Sequence, residues 1–447
     1  MVRSLLHQPR VRSIKKIVVL GANGAMGVGT GAVFAAAGIP TQFLARTLEK
    51  AEAGRARAEQ LTKGKAARSI SCGTYETDLA HALADADLVF EAVSEDPAAK
   101  REVLSRVDTL LEDAATMPVI GSVSSGLSIG ELCADRSPRF RSHFLGIHLF
   151  NPPTVLVGCE LVPHAVTDPG VVAVARDFLS SVLGRQVVET RDTPAFAGNR
   201  VGFKVLNQVA QLAEEHGVAF MDQLVGPHTG RALPPLATID LVGWDVHKAI
   251  VDNLFARTHD IAHDCFKLPA YMQRGIAAGH LGRKSRDKGG FFRIEGKGEA
   301  ARHFVLDPRT GDYRPLAERA PPIPACVERM KAAIRTGRYA GAMEVMCISE
   351  SREAALLRRV MLGYISYGLG LVGEVVDRPR DIDRIMGFGF NWAPPGLLVD
   401  AIGPGRTIIL LEKARLPVPT CIIDSAIHMR PLFDEPSVDR ARFFAAA

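Results

Sequence analysis

The stretch that decides the fold of this chain is IVVLGANGAMGVG, residues 17–29. Its four leading aliphatic residues predict a buried strand, and Gly21, Gly24 and Gly27 follow directly. Glycine lets the backbone turn tightly and approach a pyrophosphate, and a helix starting here points the positive end of its dipole at the phosphates. The spacing GxxGxxG is one residue longer than GxGxxG, but a strand before it and a helix after it are the expected context. The stretch therefore predicts a dinucleotide-binding turn.

Downstream of this turn, short apolar runs alternate with helical patterns as far as about residue 190. Further strands are predicted at residues 42–44, 87–93 and 119–122, and helices at residues 48–63 and 98–111. Such alternation is typical of right-handed βαβ units, which build a doubly wound parallel sheet. We therefore expect an α/β dinucleotide-binding domain over residues 1–190.

A motif that occurs twice organises the C-terminal half of the chain. The first copy is Asp222-x3-Gly226 followed by Pro234-Pro235-x4-Asp240-x2-Gly243, and the second is Asp383-x3-Gly387 followed by Pro394-Pro395-x4-Asp400-x2-Gly403. The copies are offset by 160–161 residues, and long helical periodicities surround both. The repeat predicts a duplicated all-α domain over residues 191–300 and 326–447, with a Pro-rich linker and a β-hairpin over residues 301–325.

Composition and charge argue against several classes of function. Lys and Arg total 54 and Asp and Glu 49, a net charge of +5. Because basic blocks are lacking, nucleic acid is not expected as a partner. The seven cysteines are scattered without a CxxC pair, so neither a metal site nor a disulfide framework is predicted. These features are typical of a bacterial-type, soluble cytoplasmic protein.

Two segments have the composition of targeting or membrane signals. Residues 17–45 carry no charge and exceed the ~20 residues that span a bilayer. Six glycines and Pro40 divide them into strand, turn, helix and strand, so no membrane span is expected. The first 16 residues hold five basic residues and no acidic one. We interpret them as a disordered lead-in to the first strand, with a mitochondrial transit peptide as the alternative.

The end of the second strand bears on the choice of cofactor. An acidic residue about 20 residues after the glycine turn usually holds the adenosine ribose of NAD. This chain has Leu44-Ala45-Arg46-Thr47 at that place. Arg46 could pair with a 2′-phosphate, which by itself favours NADP, or it could be an exposed residue at the start of a helix.

The stretch with the most chemical information is GIHLFNPPTVLVGCELV, residues 146–162. Two apolar segments flank a turn signal, Asn-Pro-Pro. If they pair as antiparallel strands about a centre near Thr154, His148 lies opposite Glu160, at the ~5 Å Cβ separation of cross-strand neighbours. A carboxylate on one ring nitrogen fixes the tautomer and leaves the other nitrogen to move a proton. Alone such a pair is more often structural, but beside a dinucleotide site we interpret it as catalytic.

Together these motifs resemble the 3-hydroxyacyl-CoA dehydrogenase family. Besides the glycine turn and the repeat, the likeness rests on Phe90-Glu91-Ala92-Val93-x-Glu95-x4-Lys100, Ser122-Val123-Ser124-Ser125, His148-x2-Asn151-Pro152, Glu160, Asp192-Thr193-Pro194-x-Phe196-x2-Asn199-Arg200 and Gly282-Arg283-Lys284-x5-Gly290-Phe291. It covers most of residues 15–295 and returns more weakly over residues 355–405. The two-copy half is similar to the dehydrogenase portion of β-oxidation multienzyme chains. The resemblance implies a Rossmann-like sheet followed by two helical domains.

The resemblance also implies a reaction and its residues. An L-3-hydroxyacyl-CoA would be oxidised reversibly to the 3-ketoacyl-CoA, as in fatty-acid β-oxidation. His148 would be the base and Glu160 would orient it, while Ser125 and Asn199 would hydrogen-bond the substrate oxygen. The alternatives are that Ser125 is an ordinary residue of a Ser/Gly-rich loop and that Asn199 is a helix N-cap.

On the cofactor side, Glu95 and Lys100 are implied to line the site. Members of the family usually carry an acid at the end of the second strand and use NAD, so Arg46 is a departure. Because the other motifs match, NAD is predicted, with NADP as the alternative.

Two rival functions stay open. One is an NADP-dependent β-hydroxyacid dehydrogenase acting on a free acid, an enzyme class that commonly relies on a lysine base. The other is a non-catalytic dinucleotide sensor, which needs only the glycine turn. The pair of His148 and Glu160 argues against the first, and the joint presence of His148, Glu160, Ser125 and Asn199 argues against the second.

The expected partners are an acyl-CoA substrate and, as an open alternative, a separate hydratase or thiolase. The second helical copy has Arg359 where the first has Asn199 and no histidine–carboxylate hairpin before it, so we predict that it is structural. Simpler members of the family pair their helical units between two subunits. A tandem copy could supply that contact within one chain, which predicts a monomer with an internal pseudo-dimer; a homodimer, detectable by light scattering, is the alternative.

Overall fold

The computed structural model describes residues 13–285, 287–319, 321–435 and 438–444. The chain divides into two units, Met1–Phe196 and Ala197–Ala447. Most of the predicted basic lead-in or transit peptide, residues 1–12, lies outside the described residues. The finer division into four domains stays a prediction.

The first unit contains an eight-stranded sheet. Its elements are, in chain order, β1 (Ile17–Leu20), α1 (Ala25–Ala36), β2 (Thr41–Ala45), α2 (Leu48–Leu61), β3 (Ile70–Thr74), α3 (Leu79–Ala84), β4 (Leu88–Glu91), α4 (Pro97–Leu111), β5 (Val119–Ser122), α5 (Ile129–Leu132), α6 (Pro138–His143), β6 (Phe144–Leu149), β7 (Gly158–Val162), α7 (Pro169–Asp177) and β8 (Gln186–Glu189). The strand order is β3-β2-β1-β4-β5-β6-β7-β8. Every neighbouring pair is parallel except β6 with β7, which is antiparallel. The predicted Rossmann-like, doubly wound sheet is confirmed.

Strand β1 is apolar throughout because the sheet is covered on both faces. Ile17 and Val19 pack into one apolar cluster with α1 and α7, and Val18 and Leu20 pack into another with α3 and α4. The strand order reverses at β1, which lies between β2 and β4. Open α/β sheets bind ligands at the carboxyl ends of the strands beside such a reversal. The glycine turn therefore lies where this sheet is built to hold a ligand.

The predicted elements of the first unit correspond to observed ones, with differences at their ends. The strand predicted over residues 119–122 is β5 without change, whereas that over residues 87–93 is observed only as β4. The helix predicted over residues 48–63 ends at Leu61, because Lys63 and Gly64 adopt positive φ angles of 51° and 83°.

The second unit is largely helical. Its elements are α8 (Gly198–His216), α9 (Val218–Leu224), α10 (Pro235–Val242), α11 (Trp244–Arg257), α12 (Ala270–Ala277), β9 (Phe292–Glu295), β10 (Arg302–Leu306), β11 (Tyr313–Pro315), α13 (Leu316–Arg319), α14 (Ala325–Arg335), α15 (Tyr339–Ile348), α16 (Arg352–Gly370), α17 (Pro379–Phe388), α18 (Pro395–Ile402), α19 (Pro404–Lys413) and α20 (Thr420–His428). The predicted hairpin is confirmed as β10 and β11, and β9, which was not predicted, pairs with β10 on its other side. Across the ranges that the structure describes, no helix is both long and apolar enough to cross a bilayer.

The two copies of the repeated motif form equivalent hydrogen bonds. In each copy one aspartate accepts from backbone N–H groups at the start of a helix, and a second aspartate accepts from two consecutive N–H groups further along the chain. The donors are Leu236 and Ala237 for Asp222, Gly396 for Asp383, Phe291 and Phe292 for Asp240, and Leu432 and Phe433 for Asp400. This agreement confirms that the helical region is an internal duplication.

The longest helices of the two copies, α8 and α16, pack against each other within the second unit. Arg200 of α8 donates to Tyr367 Oη of α16 at 3.0 Å and pairs with Glu374 at 2.7 Å. A Cβ on Gly202 would come within 2.2 Å of the Phe390 ring, so the backbone of α8 lies in close contact with the second copy. These contacts occur between copies of one chain.

Candidate active site

The glycine turn joins β1 to α1, and close backbone contacts require two of its three glycines. Gly21 has a φ of +81°, and a Cβ there would lie 2.3 Å from the carbonyl oxygen of Ala92. A Cβ on Gly27 would lie 2.3 Å from the carbonyl oxygen of Gly21. Gly24 precedes the first residue of α1, and a Cβ there would have 3.5 Å to its nearest neighbour. The turn thus suits a pyrophosphate, which the backbone N–H groups at the start of α1 would hold.

These distances predict different effects for two matched substitutions. Gly27→Ala should destabilise the first unit by about 1–3 kcal/mol, because backbone atoms stand where the methyl group would go. Gly24→Ala should leave the melting temperature nearly unchanged but weaken NADH binding about tenfold or more, since the added methyl group would face the pyrophosphate. Thermal melts and NADH titrations of both variants test this. Unchanged NADH affinity in Gly24→Ala would contradict the predicted cofactor position.

A cavity of about 470 Å³ lies next to the turn and is lined in part by Arg46, Tyr75 and Arg106. The Tyr75 hydroxyl accepts from the Gly21 N–H at 2.7 Å. Burial raises the pKa of Tyr75, so its hydroxyl is neutral. Arg46 is exposed at the carboxyl end of β2, next to Ala45. Sequence reasoning missed Tyr75 and Arg106, because only the folded chain brings them to the glycine turn.

The histidine–carboxylate pair forms as predicted. His148 lies directly opposite Glu160 in the antiparallel pair of β6 and β7. Nδ1 of His148 is 2.6 Å from Oε2 of Glu160, and Nε2 is 3.2 Å from the Ser125 Oγ. Both side chains are buried, with 3% and 0% of their surfaces exposed. A carboxylate can only accept, so Nδ1 of His148 donates to Glu160, and in that tautomer Nε2 can accept from the Ser125 hydroxyl.

Two aromatic rings hold the imidazole in place. Phe150 packs edge-on at 5.0 Å between ring centroids, and Phe196 packs at 5.7 Å. The bend between β6 and β7 includes a cis peptide bond between Asn151 and Pro152. Because the ring is fixed by its hydrogen bonds and by both aromatic neighbours, Nε2 has a defined direction, as proton transfer requires.

Hydrogen bonds to the Glu95 carboxylate hold the loop that carries Ser125. This carboxylate accepts from the Ser124 Oγ at 2.7 Å and from the backbone N–H groups of Ser125 at 2.8 Å and Gly126 at 3.2 Å. Lys100 Nζ lies 3.3 Å from Glu95. Burial opposes ionisation, but Lys100 and the hydrogen bonds outweigh it and lower the pKa of the Glu95 carboxyl. Glu95 therefore positions the loop that carries Ser125.

Lys100 is fully buried, and its principal partner is Glu91. Its Nζ donates to both carboxylate oxygens of Glu91, at 2.9 and 3.0 Å. Glu91 also accepts from the Val93 N–H at 2.7 Å and from the Ser122 hydroxyl. The resemblance implied that Lys100 lines the cofactor side. The structure buries its side chain completely against Glu91 and Glu95, which supports a positioning role. Glu91 belongs to one of the motifs on which the family resemblance rests, but its role as the partner of Lys100 was not predicted.

The predicted motif around residues 192–199 spans the end of the first unit. Asp192 accepts from the hydroxyl of Ser128 and from the N–H groups of Ile129 and Gly130, at 2.8–2.9 Å, and so caps α5. Asn199 lies one residue beyond the start of α8, in the second unit, and is not the N-cap. Its contact with a substrate oxygen stays a prediction.

The arrangement supplies acid–base chemistry next to a dinucleotide turn. A buried, oriented histidine can accept a proton at Nε2, and Ser125 can donate to an oxygen bound there. In the described part of the chain, no group of three or more His, Cys, Asp or Glu side chains could hold a metal ion.

Comparison with known proteins gives consistent matches along the chain. Residues 16–193 match the family model "3-hydroxyacyl-CoA dehydrogenase, NAD binding domain", and residues 196–291 match the C-terminal domain of the same family. The chain is 31% identical over 438 residues to a probable 3-hydroxyacyl-CoA dehydrogenase of Bacillus subtilis, covering 91% of this chain and 53% of that relative. This chain therefore spans about half the length of that protein.

Two further proteins resemble the chain over most of their own length. A 3-hydroxybutyryl-CoA dehydrogenase of Mycobacterium tuberculosis is 32% identical, covering 61% of this chain and 96% of the relative. The crystal structure of 3-hydroxybutyryl-CoA dehydrogenase from Escherichia coli superposes with a TM-score of 0.66 and covers 93% of this chain and 99% of that one. At 20% identity, it supports the fold alone, including the helical second half.

Proposed function

This chain belongs to the 3-hydroxyacyl-CoA dehydrogenase family, and on that premise we propose that it interconverts an L-3-hydroxyacyl-CoA and its 3-ketoacyl-CoA with NAD(H). The observation that carries the proposal is the buried pair of His148 and Glu160, whose free ring nitrogen lies 3.2 Å from the Ser125 hydroxyl. A place in fatty-acid β-oxidation and a cytoplasmic location are parts of the same proposal.

In the oxidation direction, the C3 hydroxyl proton moves to Nε2 of His148 as the hydride leaves C3. When bound, NAD supplies the hydride acceptor. The imidazolium formed is stabilised by Glu160 across the Nδ1 hydrogen bond. Ser125 and Asn199 would hydrogen-bond the oxygen that gains negative charge as its proton departs. In reduction the same proton returns from His148 to the oxygen.

Two rival functions fit the site less well. A β-hydroxyacid dehydrogenase that uses a lysine base would need an available lysine, but Lys100 is fully buried and paired with Glu91. A dinucleotide sensor would need the glycine turn but not an oriented histidine. The geometry of His148 therefore favours a 3-hydroxyacyl-CoA dehydrogenase over both rivals.

A turnover assay with acetoacetyl-CoA, run with NADH and with NADPH, tests the proposal. We expect reduction with a ratio of kcat/KM for NADPH over NADH below one, because the family match outweighs the lone Arg46 at the ribose position. Turnover of free acetoacetate alone would support the hydroxyacid dehydrogenase instead. NADH binding without turnover would support the sensor. A cofactor ratio well above one would overturn the NAD assignment.

The proposal also covers the role of the second helical copy and the association of the chain with other enzymes. The contacts of Arg200 with Tyr367 and Glu374 support an internal pseudo-dimer that replaces a contact between subunits. One relative, from Rickettsia felis, is named a putative fatty acid oxidation complex trifunctional enzyme. Association of this chain with a hydratase or thiolase is proposed on that likeness.

A further inference from the structure

A cavity of about 610 Å³ lies in the second unit, between α8 of the first copy and α16 and α19 of the second. Four basic residues line it, and no acidic residue does so among the described ones; the basic residues are Lys204, Arg358, Arg359 and Lys413. Leu362, Leu410 and Leu416 form an apolar part of its wall. The volume is in the range of small-molecule sites, and the charge is of one sign.

Lys204 occupies an unusual position for a lysine. Its side chain is 5% exposed, and its Nζ donates to the Gln208 Oε1 at 3.1 Å, with the Tyr367 ring centroid 6.0 Å away. Burial lowers the pKa of this ammonium, and Arg359 lowers it further, while Cys265 and Asp260 only partly oppose the shift. Within the described ranges no carboxylate forms an ion pair with Lys204. A buried ammonium without a carboxylate partner destabilises a fold. A bound anionic ligand would compensate for this cost.

The backbone opposite Lys204 leaves room for this ammonium. A Cβ on Gly363 would lie 2.8 Å from Nζ, so a larger side chain at this position of α16 would displace the lysine. Glycine in the interior of a helix costs about 1 kcal/mol relative to alanine. The space beside Lys204 is therefore kept at the expense of helix stability.

The other basic residues differ in their availability. Arg358 donates to the carbonyl oxygens of Met346 and Ser349 and so holds the end of α15. Arg359 and Lys413 are exposed, and neither forms an ion pair with any described residue. These two side chains are thus available to a ligand at the mouth of the cavity, above Lys204.

We propose that this cavity binds a small organic dianion, with one anionic group on Lys204 and the other on Arg359 and Lys413. The apolar wall would contact the carbon atoms between the two groups. Carboxylates and phosphates share the required chemistry. None of the residues that line this cavity is among those proposed for hydride transfer, and the inference does not depend on that function.

Isothermal titration calorimetry of the full chain at about pH 6.5 with propane-1,3-bisphosphonate and, separately, with glutarate tests the site, with acetate as the monoanion control. We expect saturable binding of at least one dianion, weakened by salt. Lys204→Met should reduce the affinity at least about tenfold and leave the unliganded melting temperature equal or higher, because an unpaired buried charge is removed. Lys248→Met, which alters an exposed lysine paired with Asp252, is the matched control and should bind like wild type.

The possible results distinguish a phosphate ligand from a carboxylate ligand, and both from a cavity that binds neither. Binding of the bisphosphonate alone assigns a phosphate-type ligand, and binding of glutarate alone assigns a dicarboxylate. Absence of binding by both, or equal binding to wild type and Lys204→Met, overturns the proposal. Should Lys204→Met unfold, Arg359→Gln changes an exposed residue of the same cavity, and unaltered affinity in that variant refutes the site equally.

Discussion

His148→Ala should lower kcat for acetoacetyl-CoA reduction by at least ~10²-fold and by as much as ~10⁴-fold, the range that general acid–base catalysis contributes. The imidazole of His148 directs Nε2 toward Ser125 and has the Glu160 carboxylate on Nδ1. Alanine removes the proton carrier and leaves the glycine turn untouched. We therefore expect the dissociation constant of NADH to stay near its wild-type value.

A matched variant distinguishes loss of the base from general damage. His143 is a histidine of the same unit, at the end of α6, and its Nδ1 lies 3.2 Å from the carbonyl oxygen of Arg139. His143→Ala should change kcat by no more than about threefold, as expected away from the chemistry. A His148→Ala enzyme that keeps a tenth or more of wild-type kcat, with folding intact, would exclude His148 as the base.

Glu160→Gln extends the same prediction to the partner of the histidine. The amide keeps the volume of the carboxylate but removes the charge that stabilises the imidazolium. It can also donate to Nδ1 and so favour the wrong tautomer of His148. We expect a loss in kcat of the same order as in His148→Ala, with KM for acetoacetyl-CoA little changed. A large rise in KM with unchanged kcat would instead indicate that Glu160 shapes the substrate site.

The features predicted correctly from the sequence depend on patterns that lie within short stretches of the chain. The strands of the sheet were predictable, apart from their exact ends, because short apolar runs bounded by turn residues are typical of buried strands. His148 and Glu160 were predictable because they are 12 residues apart and a hairpin fixes its own register. The repeat was visible because the two copies carry the same Asp, Gly and Pro-Pro pattern with spacings that differ by one residue.

What the sequence left unassigned depends on contacts between distant segments. Tyr75 reaches Gly21 across 54 residues and Ser122 reaches Glu91 across 31, and no local pattern encodes either distance. Lys100 was predicted to line the cofactor site because the family resemblance implied it. A lysine in an amphipathic helix is usually exposed, so nothing in the sequence indicated that this one is buried. Its amphiphilic side chain is instead placed by the packing of α4 on the sheet.

Lys100→Met should destabilise the first unit by about 3–5 kcal/mol, the effect of removing one partner from a buried ion pair. The substitution keeps the volume of the side chain but leaves Glu91, itself fully buried, with only the Val93 N–H and the Ser122 hydroxyl as partners. Such a change is a large part of the 5–15 kcal/mol typical of a folded domain. Urea unfolding of the wild type and the variant measures it.

Two controls show whether the effect comes from the stranded carboxylate. Lys16→Met removes a lysine paired with Asp85 at the surface and should cost less than about 1 kcal/mol. The double variant Glu91→Gln/Lys100→Met neutralises both buried charges and should recover most of the lost stability. If the double variant stays as unstable as Lys100→Met, lost packing rather than an unpaired charge is the cause.

Stability and activity should separate in that double variant. Lys100 also lies 3.3 Å from Glu95, whose carboxylate holds the backbone of Ser125 and Gly126. Without the ammonium, burial of Glu95 is no longer opposed by a positive charge, so its pKa should rise and its grip on the loop should weaken. We therefore expect the double variant to fold like wild type but to have a lower kcat. Full recovery of kcat would mean that Glu95 positions Ser125 without help from Lys100.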